Sequence, residues 1–136
     1  MTRRDFIAIV VGIIFVIIGV DHFIRTEWYN PIVPSILGFP AFWVYASGIA
    51  EIGFGTAIML KAYRKKAAVF GILMLLALYW ANLNMWLNDI PLNGVQYSNG
   101  WHIGRLIVQG FLILLLAWLG ELRLRSIGFI EVNNNR

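Results

Sequence analysis

Polar and charged residues gather toward one end of the four apolar runs in this chain. The set comprises two acids, two histidines, one arginine and three amides: Asp21, His22, Glu51, Asn82, Asn88, His102, Arg105 and Gln109. Such side chains donate, accept and carry protons, and ionisable groups inside membrane segments mark ligand sites or proton paths. The pattern predicts a binding or proton-carrying site near one membrane face, without assigning a catalytic residue or a metal ligand.

The composition indicates an integral membrane protein. Hydrophobic residues make up 60% of the 136 positions and charged residues 13%, with a mean hydropathy of +0.73. The runs 6–23, 41–60, 67–88 and 103–120 each approach the ~20 residues that cross a hydrocarbon core. We therefore expect an all-α, four-helix membrane bundle that forms a single domain over residues 1–136 and is surrounded by the lipid bilayer.

The basic residues predict the orientation of the chain. Nine of the eleven lysines and arginines precede the first run, join the second to the third, or follow the fourth. They are Arg3, Arg4, Lys61, Arg64, Lys65, Lys66, Arg123, Arg125 and Arg136. The positive-inside rule then predicts a multi-pass protein of the cell membrane with both termini cytoplasmic. It also accounts for the net charge of +4 without a nucleic-acid partner.

The two outer connections differ from the short basic inner one. Residues 24–40 contain three prolines, which disfavour a continuous helix and predict a compact outer cap. Residues 89–102 contain a proline and two glycines and predict a loop. Most tryptophans and tyrosines lie near this end, where an interfacial aromatic belt is the simplest explanation and stacking on a flat ligand is the alternative.

Helical spacing places several polar residues on shared faces. Gly12 and Gly19 are seven residues apart and His22 follows three residues later, so we expect His22 to face the bundle. The other stripes are Ser47, Glu51 and Gly55 in the second helix and His102, Arg105 and Gln109 in the fourth, while the third helix has Asn82 on one face and Asn84 with Asn88 on another.

Glu51 is the polar residue predicted to lie deepest in the membrane. It follows the start of its run by ten residues, which is roughly 15 Å along a helix. A charge at that depth costs ~2.5–3.5 kcal/mol on insertion scales, so the carboxyl must be protonated, paired or beside water. Arg105 is the expected partner, with Gln109 or Asn82 bridging the gap. In the alternative, these groups only hydrogen-bond the helices together.

Two features bear on redox chemistry. His22 and His102, on different helices at similar height, have the ligand type of a b-type haem, but hydrogen-bonded pairs with Asp21 and Arg105 are easier to build, which disfavours haem. The chain has no cysteine, which excludes a thiol–disulfide relay or a cysteine-ligated metal centre within it. Redox work would therefore need a bound quinone, a haem or a partner subunit.

Five segments carry a resemblance to a known family. They are Gly19-Val20-Asp21-His22-Phe23, Tyr29-x-Pro-x-Val-Pro34, Trp43-x-x-x-Ser47-Gly48-x-x-Glu51, Trp80-Ala81-Asn82-Leu83-Asn84-Met85 and Arg105-Leu-x-x-Gln109. In order and spacing, over about residues 6 to 120, they resemble the DoxX family. The resemblance implies a small four-helix membrane protein with His22, Glu51, Asn82, Arg105 and Gln109 as the matching polar set. Some relatives are described as subunits of quinol oxidase or thiosulfate:quinone oxidoreductase systems, and distant ones as assembly or trafficking factors.

Two functional hypotheses follow. In the first, the protein is a subunit associated with a quinone-linked redox system, not an enzyme on its own. It would hold a small ligand on Arg105, Asn82 and Gln109 in the outer half, with Glu51 and His22 as the proton path. In the second, it is a non-catalytic assembly or binding protein in which the polar cluster is structural and the cap contacts a partner. Smooth glycine and alanine faces also allow a homo-oligomer.

Overall fold

The computed structural model describes residues 1–122, and this part of the chain is helical. Its α-helices are α1 (Arg3–Ile24), α2 (Thr26–Tyr29), α3 (Pro40–Met59), α4 (Arg64–Leu87) and α5 (Asn99–Leu119), with 3₁₀ turns at Asn30–Ile32 and Ser35–Leu37. The helices α1, α3, α4 and α5 are long and apolar enough to cross a membrane. The all-α class is confirmed for the described residues, whereas the basic residues Arg123, Arg125 and Arg136 lie outside them.

The long helices begin before the apolar runs that predicted them. α1 begins at Arg3 and not at 6, α4 at Arg64 and not at 67, and α5 at Asn99 and not at 103. In α1 the extra residues belong to a capping box, in which Thr2 and Asp5 each bind the backbone N–H of the other. An apolar run marks the part of a helix inside the hydrocarbon and therefore misses such polar first turns.

Two pairs of glycines hold α1 and α3 together in antiparallel contact. A Cβ placed on Gly12 would lie 2.4 Å from the Gly55 carbonyl oxygen, and one on Gly55 would lie 2.5 Å from that of Gly12. For Gly19 and Gly48 the corresponding distances are 2.7 and 2.8 Å. Neither pair leaves room for a side chain, so the two backbones touch directly, as small residues allow in membrane helices.

An apolar core joins the four long helices in one half of the bundle. Its buried side chains are Ala8, Val11 and Phe15 of α1, Phe54 and Ile58 of α3, Ala67, Ala68, Met74 and Leu75 of α4, and Leu116 and Leu119 of α5. We name the end at which α1 ends and α3 begins the cap end, and the opposite end the basic end. The core fills the half nearer the basic end. His22 and His102 are buried near the cap ends of their helices, and Glu51 is buried near the middle of α3.

Ion pairs connect the helices at the basic end. Arg64, 8% exposed, donates from Nη1 to Asp5 Oδ1 at 2.9 Å. Lys61 Nζ lies 3.0 Å from the other oxygen of the same carboxylate. Arg4 pairs with Glu121 and so links the start of α1 to the residues after α5. The sequence interpretation gave no role to Asp5, which here ties α1 to the start of α4.

The cap, residues 24–40, folds over the opposite end. It contains α2 and both 3₁₀ turns, and Ile32 is its buried anchor at 8% exposure. Asn84 of α4 donates from Nδ2 to the Ile32 carbonyl oxygen at 3.0 Å. Trp43 of α3 donates from Nε1 to the Leu37 carbonyl oxygen at 3.3 Å. The cap is thereby attached to two of the long helices.

Candidate functional site

A buried imidazole–carboxyl pair lies between α1 and α3. His22 is 8% exposed and Glu51 5%, and Nδ1 of His22 lies 3.2 Å from Oε2 of Glu51. The same Nδ1 lies 2.8 Å from the Ile18 carbonyl oxygen. A carbonyl oxygen only accepts, so Nδ1 carries a proton directed at Ile18. Glu51 Oε2 is therefore left buried without a hydrogen-bond partner among the described residues.

The glycine contact between α1 and α3 explains why these two side chains meet. A Cβ on Gly48 would lie 2.8 Å from the Gly19 carbonyl oxygen and 3.1 Å from the His22 Cβ. Glu51 follows Gly48 by three residues, less than one helical turn. The close backbone approach thus presents the Glu51 carboxyl to the imidazole. The two faces were visible in the sequence, and the structure brings them together.

Asp21 and Tyr29 extend this pair toward the cap. Tyr29 donates from its hydroxyl to Asp21 Oδ2 at 2.7 Å. Its ring stacks on His22, with the ring centroids 4.2 Å apart. Arg25 pairs with Asp21 from one turn along the chain. Burial, together with the hydrogen bond to Asp21, raises the pKa of Tyr29 above its ordinary value. Tyr29 therefore remains a hydrogen-bond donor at neutral pH.

Sequence reasoning included Asp21 and His22 in the site but assigned no site role to Arg25 or Tyr29. These two residues follow Asp21 by four and eight positions, a spacing that indicates one helical face. The signal was present, but both residues fall in the segment assigned to the proline-rich cap. The break between α1 and α2 at Arg25 is short enough to keep the three side chains together.

A cleft of about 380 Å³ opens beside this cluster at the cap end. Arg25, Trp28 and Tyr45 are among its lining residues. The Arg25 guanidinium carbon lies 4.4 Å from the centre of the Trp28 ring, a cation–π contact. Tyr45 stacks on Phe23 with centroids 5.3 Å apart. The cleft thus combines two aromatic rings with a guanidinium that also belongs to the Asp21 cluster.

The remaining predicted site residues lie along the contact between α4 and α5. Arg105 Nη1 lies 3.5 Å from Met85 Sδ. Gln109 donates from Nε2 to the Leu75 carbonyl oxygen at 2.6 Å. Asn82 is half-buried on α4. The predicted set therefore divides between two places, one at α1, α3 and the cap and the other at α4 and α5.

The expected pairing of Glu51 with Arg105 is wrong. The ionisable neighbour of Glu51 is His22 on α1, at 3.2 Å, whereas the described polar contact of Arg105 is with the Met85 thioether on α4. The direct glycine contact selects α1 as the partner of α3, and spacing within one helix could not reveal which helix that would be.

His102 belongs to the second place. It is 6% exposed and stacks on Trp86 of α4, with centroids 5.5 Å apart. Trp86 in turn donates from Nε1 to Asn99 Oδ1 at 3.0 Å. His22 and His102 thus each stack on an aromatic ring of their own. Over residues 1–122, the structure contains no group of three or more histidine, aspartate or glutamate side chains that could hold a metal ion.

A known protein family matches most of this chain. No curated protein and no solved structure matches the chain. Residues 11–120 match the family described as Domain of unknown function (DUF8561). This segment runs from α1 to the end of α5 and includes the whole cap, the His22–Glu51 pair and the polar groups of α4 and α5. The chain therefore belongs to the DUF8561 family.

Proposed function

We propose that the protein is a small membrane subunit of a quinone-linked redox system and that its cap end binds the ring of a quinol. The observation that carries this proposal is Glu51 Oε2, a buried acceptor 3.2 Å from His22 with no hydrogen-bond partner over residues 1–122. A carboxyl held in this way inside a membrane protein is suited to receive a proton. The redox association rests on the resemblance to the DoxX family.

The cleft at the cap end is the proposed binding place for the ring. Its volume of about 380 Å³ falls within the ~300–1,000 Å³ of small-molecule sites. Trp28 and Tyr45 supply aromatic surfaces for stacking, and Arg25 supplies a hydrogen-bond donor for a ring oxygen. This proposal differs from the sequence-based hypothesis, which put the ligand on Arg105, Asn82 and Gln109 in the outer half of the bundle. Here the ligand binds at the cap end of α1 and α3.

Side-chain contacts run from the cleft to the buried carboxyl. Arg25 borders the cleft and pairs with Asp21. Asp21 accepts from Tyr29, whose ring stacks on His22, and His22 lies against Glu51. Stacked rings do not conduct a proton, so we assign the step from Asp21 past the Tyr29 and His22 rings to a bridging water. One of the two protons released by quinol oxidation would reach Glu51 in this way, and the other would leave to the water outside the cleft. Oxidation of a quinol also releases electrons, and we assign these to a partner redox subunit, so the protein is not an enzyme on its own.

The distribution of basic residues supports the orientation in this proposal. Lys61 and Arg64 lie at the end opposite the cap, as do the residues that precede α1. By the positive-inside rule, this distribution favours an orientation with both termini in the cytoplasm and the cleft at the outer face of the cell membrane. A quinol would then reach the cleft from the outer leaflet.

Glu51→Gln tests the proposal, because it removes the proton acceptor while preserving the volume of the side chain. Binding to purified protein in mild detergent is followed by quenching of tryptophan fluorescence, with a short-chain benzoquinol and the matching quinone as probes. Glu51 does not line the cleft, so we expect the variant to bind both probes as the wild type does. When ferricyanide then oxidises the bound quinol, the wild type should retain one of the two protons, whereas Glu51→Gln should release both to a pH-indicator dye.

Glu121→Gln is the matched control, since Glu121 pairs with Arg4 at the basic end. This variant should bind both probes as the wild type does. Thermal unfolding in the same detergent identifies any loss of fold. A folded wild-type protein that binds neither probe, or a Glu51→Gln variant that releases no more protons than the wild type, would overturn the proposal.

One observation favours a second function, a non-catalytic assembly role. Ile36 and Phe39 of the cap are 83% and 85% exposed. Phe39 has a φ of 43°, in the left-handed region that bulky residues rarely adopt. Large exposed apolar side chains mark interaction surfaces, and strained backbone is typical of functional positions. In this role the cap binds a partner protein, and His22 with Glu51 only joins α1 to α3.

Capture of partners from detergent-solubilised membranes separates the two functions. In the assembly role, Phe39→Ser should lose its co-purifying partner, whereas Glu51→Gln should retain it. The opposite pattern would argue against the assembly role. Both variants are compared at equal amounts of folded protein.

A further inference from the structure

Arg105 is an arginine within a membrane-spanning helix that contacts no carboxylate in the described part of the chain. It lies in α5 and is half-buried, and its Nη1 atom lies 3.5 Å from Met85 Sδ of α4. A thioether is only a weak acceptor. Three acidic residues that form ion pairs do so with cations other than Arg105. Asp5 binds Lys61 and Arg64, Asp21 binds Arg25, and Glu121 binds Arg4. The guanidinium therefore has capacity for an anionic ligand.

The surroundings of Arg105 are apolar and face outward. Trp101 and Val108 lie on its face of α5, about one helical turn before and after it, and are 54% and 57% exposed. Arg105 follows the start of α5 by six residues, which is about 9 Å along the helix axis. An arginine side chain at that depth reaches the polar boundary by snorkelling. A ligand that meets it there must combine an anionic group with hydrocarbon.

Asn82 adds a second polar group beside the contact between α4 and α5. It precedes Met85 by three residues and follows Leu75 by seven, so it lies near both on one face of α4. These are the residues that Arg105 and Gln109 contact from α5. Gln109 already donates to the Leu75 carbonyl oxygen. Arg105 and Asn82 are thus the groups available to an incoming oxygen-rich ligand.

We propose that Arg105, with Asn82, binds the phosphate of a phospholipid in the leaflet at the cap end, beside the contact between α4 and α5. The planar guanidinium matches phosphate oxygens in a two-pronged hydrogen bond. The acyl chains lie on the exposed apolar side chains that flank Arg105 on α5. This site is separate from the cleft beside Trp28, and it stands whether or not that cleft binds a quinol.

Native mass spectrometry of the full-length protein from mild detergent tests the site. The probes are phosphatidylglycerol and diacylglycerol with identical acyl chains, so that they differ in the phosphate-bearing headgroup alone. We expect wild type to retain phosphatidylglycerol in preference to diacylglycerol. Arg105→Gln should weaken the retention at least about tenfold in apparent Kd, as expected for loss of a charged hydrogen bond. Arg105→Lys keeps the charge but not the planar guanidinium with its two hydrogen bonds. Its apparent Kd should lie between those of wild type and Arg105→Gln.

Arg3→Gln is the control, because Arg3 is exposed at the basic end of α1; it should retain lipid as wild type does. If Arg105→Gln fails to fold, the headgroup comparison on wild type and the Arg105→Lys variant still decide the matter. Equal retention of both lipids by wild type, or unchanged retention by a folded Arg105 variant, overturns the proposal. Displacement of the lipid by millimolar inorganic phosphate would show that the site takes a soluble anion instead.

Discussion

His22 Nδ1 lies 3.2 Å from Glu51 Oε2 and 2.8 Å from the Ile18 carbonyl oxygen, so two acceptors compete for the proton on one nitrogen. A carbonyl oxygen cannot donate, so His22 Nδ1 donates its proton to the Ile18 carbonyl oxygen. This leaves the Glu51 carboxyl close to an imidazole without the hydrogen bond that such proximity normally brings. An unsatisfied buried acceptor is costly. The pair is consequently the part of the bundle best prepared to receive a proton or a ligand hydroxyl.

Gly48→Ala should separate this pair. The added methyl would lie 2.8 Å from the Gly19 carbonyl oxygen and 3.1 Å from the His22 Cβ, so α1 must move away from α3. Overpacking of this kind typically costs about 1–3 kcal/mol. We expect lower thermal stability in detergent and faster modification of His22 by diethylpyrocarbonate, located by mass spectrometry. His102, on α5, should keep its rate.

Gly55→Ala is the matched control for that experiment. Its methyl would meet the Gly12 carbonyl oxygen at 2.5 Å, at the other glycine pair and away from the imidazole. We expect a similar loss of stability with no selective change in the modification of His22. Equal acceleration in both variants would show that the glycine next to His22 has no special role in positioning it.

The sequence supplied the parts of this contact but not the pairing. The seven-residue spacing of Gly12 and Gly19 and the small, polar face around Glu51 were both apparent. A helical wheel describes one helix at a time, and it contains no information about which smooth face meets which. Arg105 therefore looked like the natural partner of Glu51 by charge alone. Direct backbone contact at two glycine pairs brings α1 against α3 and makes His22 the neighbour of Glu51.

Asp5→Asn should destabilise the fold more than Glu121→Gln does. Asp5 binds Arg64, which is 8% exposed and also donates from Nε to the Ile58 carbonyl oxygen at 3.1 Å. Loss of the carboxylate leaves a buried guanidinium without its counter-charge. The side chains of the Arg4–Glu121 pair are 33% and 68% exposed, and such pairs contribute little. Thermal unfolding in detergent measures both effects.

A second substitution checks the cause of that loss. Arg64→Met in the Asp5→Asn background removes the unpaired buried charge, so the double variant should be more stable than Asp5→Asn alone. If the double variant is less stable than Asp5→Asn, the loss of stability in Asp5→Asn does not arise from an unpaired buried guanidinium. Asp5 was overlooked in the sequence because it lies before the first apolar run, where a lone acid resembles an ordinary helix cap.

Asn84→Ala should loosen the cap. The Asn84 amide donates to the carbonyl oxygen of Ile32, the buried residue of the cap, and loss of one such bond costs ~1 kcal/mol. We expect about fivefold faster amide hydrogen exchange in the turns around Ile32. Asn88→Ala removes only an exposed donor to Asn84 and should have a smaller effect. Equal exchange in wild type and Asn84→Ala would show that other contacts hold the cap.

Tyr29 should ionise only at a pH above the ordinary tyrosine range. Its hydroxyl donates to Asp21 at 2.7 Å, and burial together with this bond raises its pKa. Because the folded pKa is raised, the stability that Tyr29 contributes is present below the ordinary tyrosine pKa of ~10 and is lost as the pH rises above it. Absorbance near 295 nm follows the five tyrosines. The difference between wild type and Tyr29→Phe isolates the titration of Tyr29, which should fall above the ordinary tyrosine pKa. A difference centred at the ordinary pKa would place the hydroxyl away from Asp21 and break the proposed series of contacts between the cleft and Glu51.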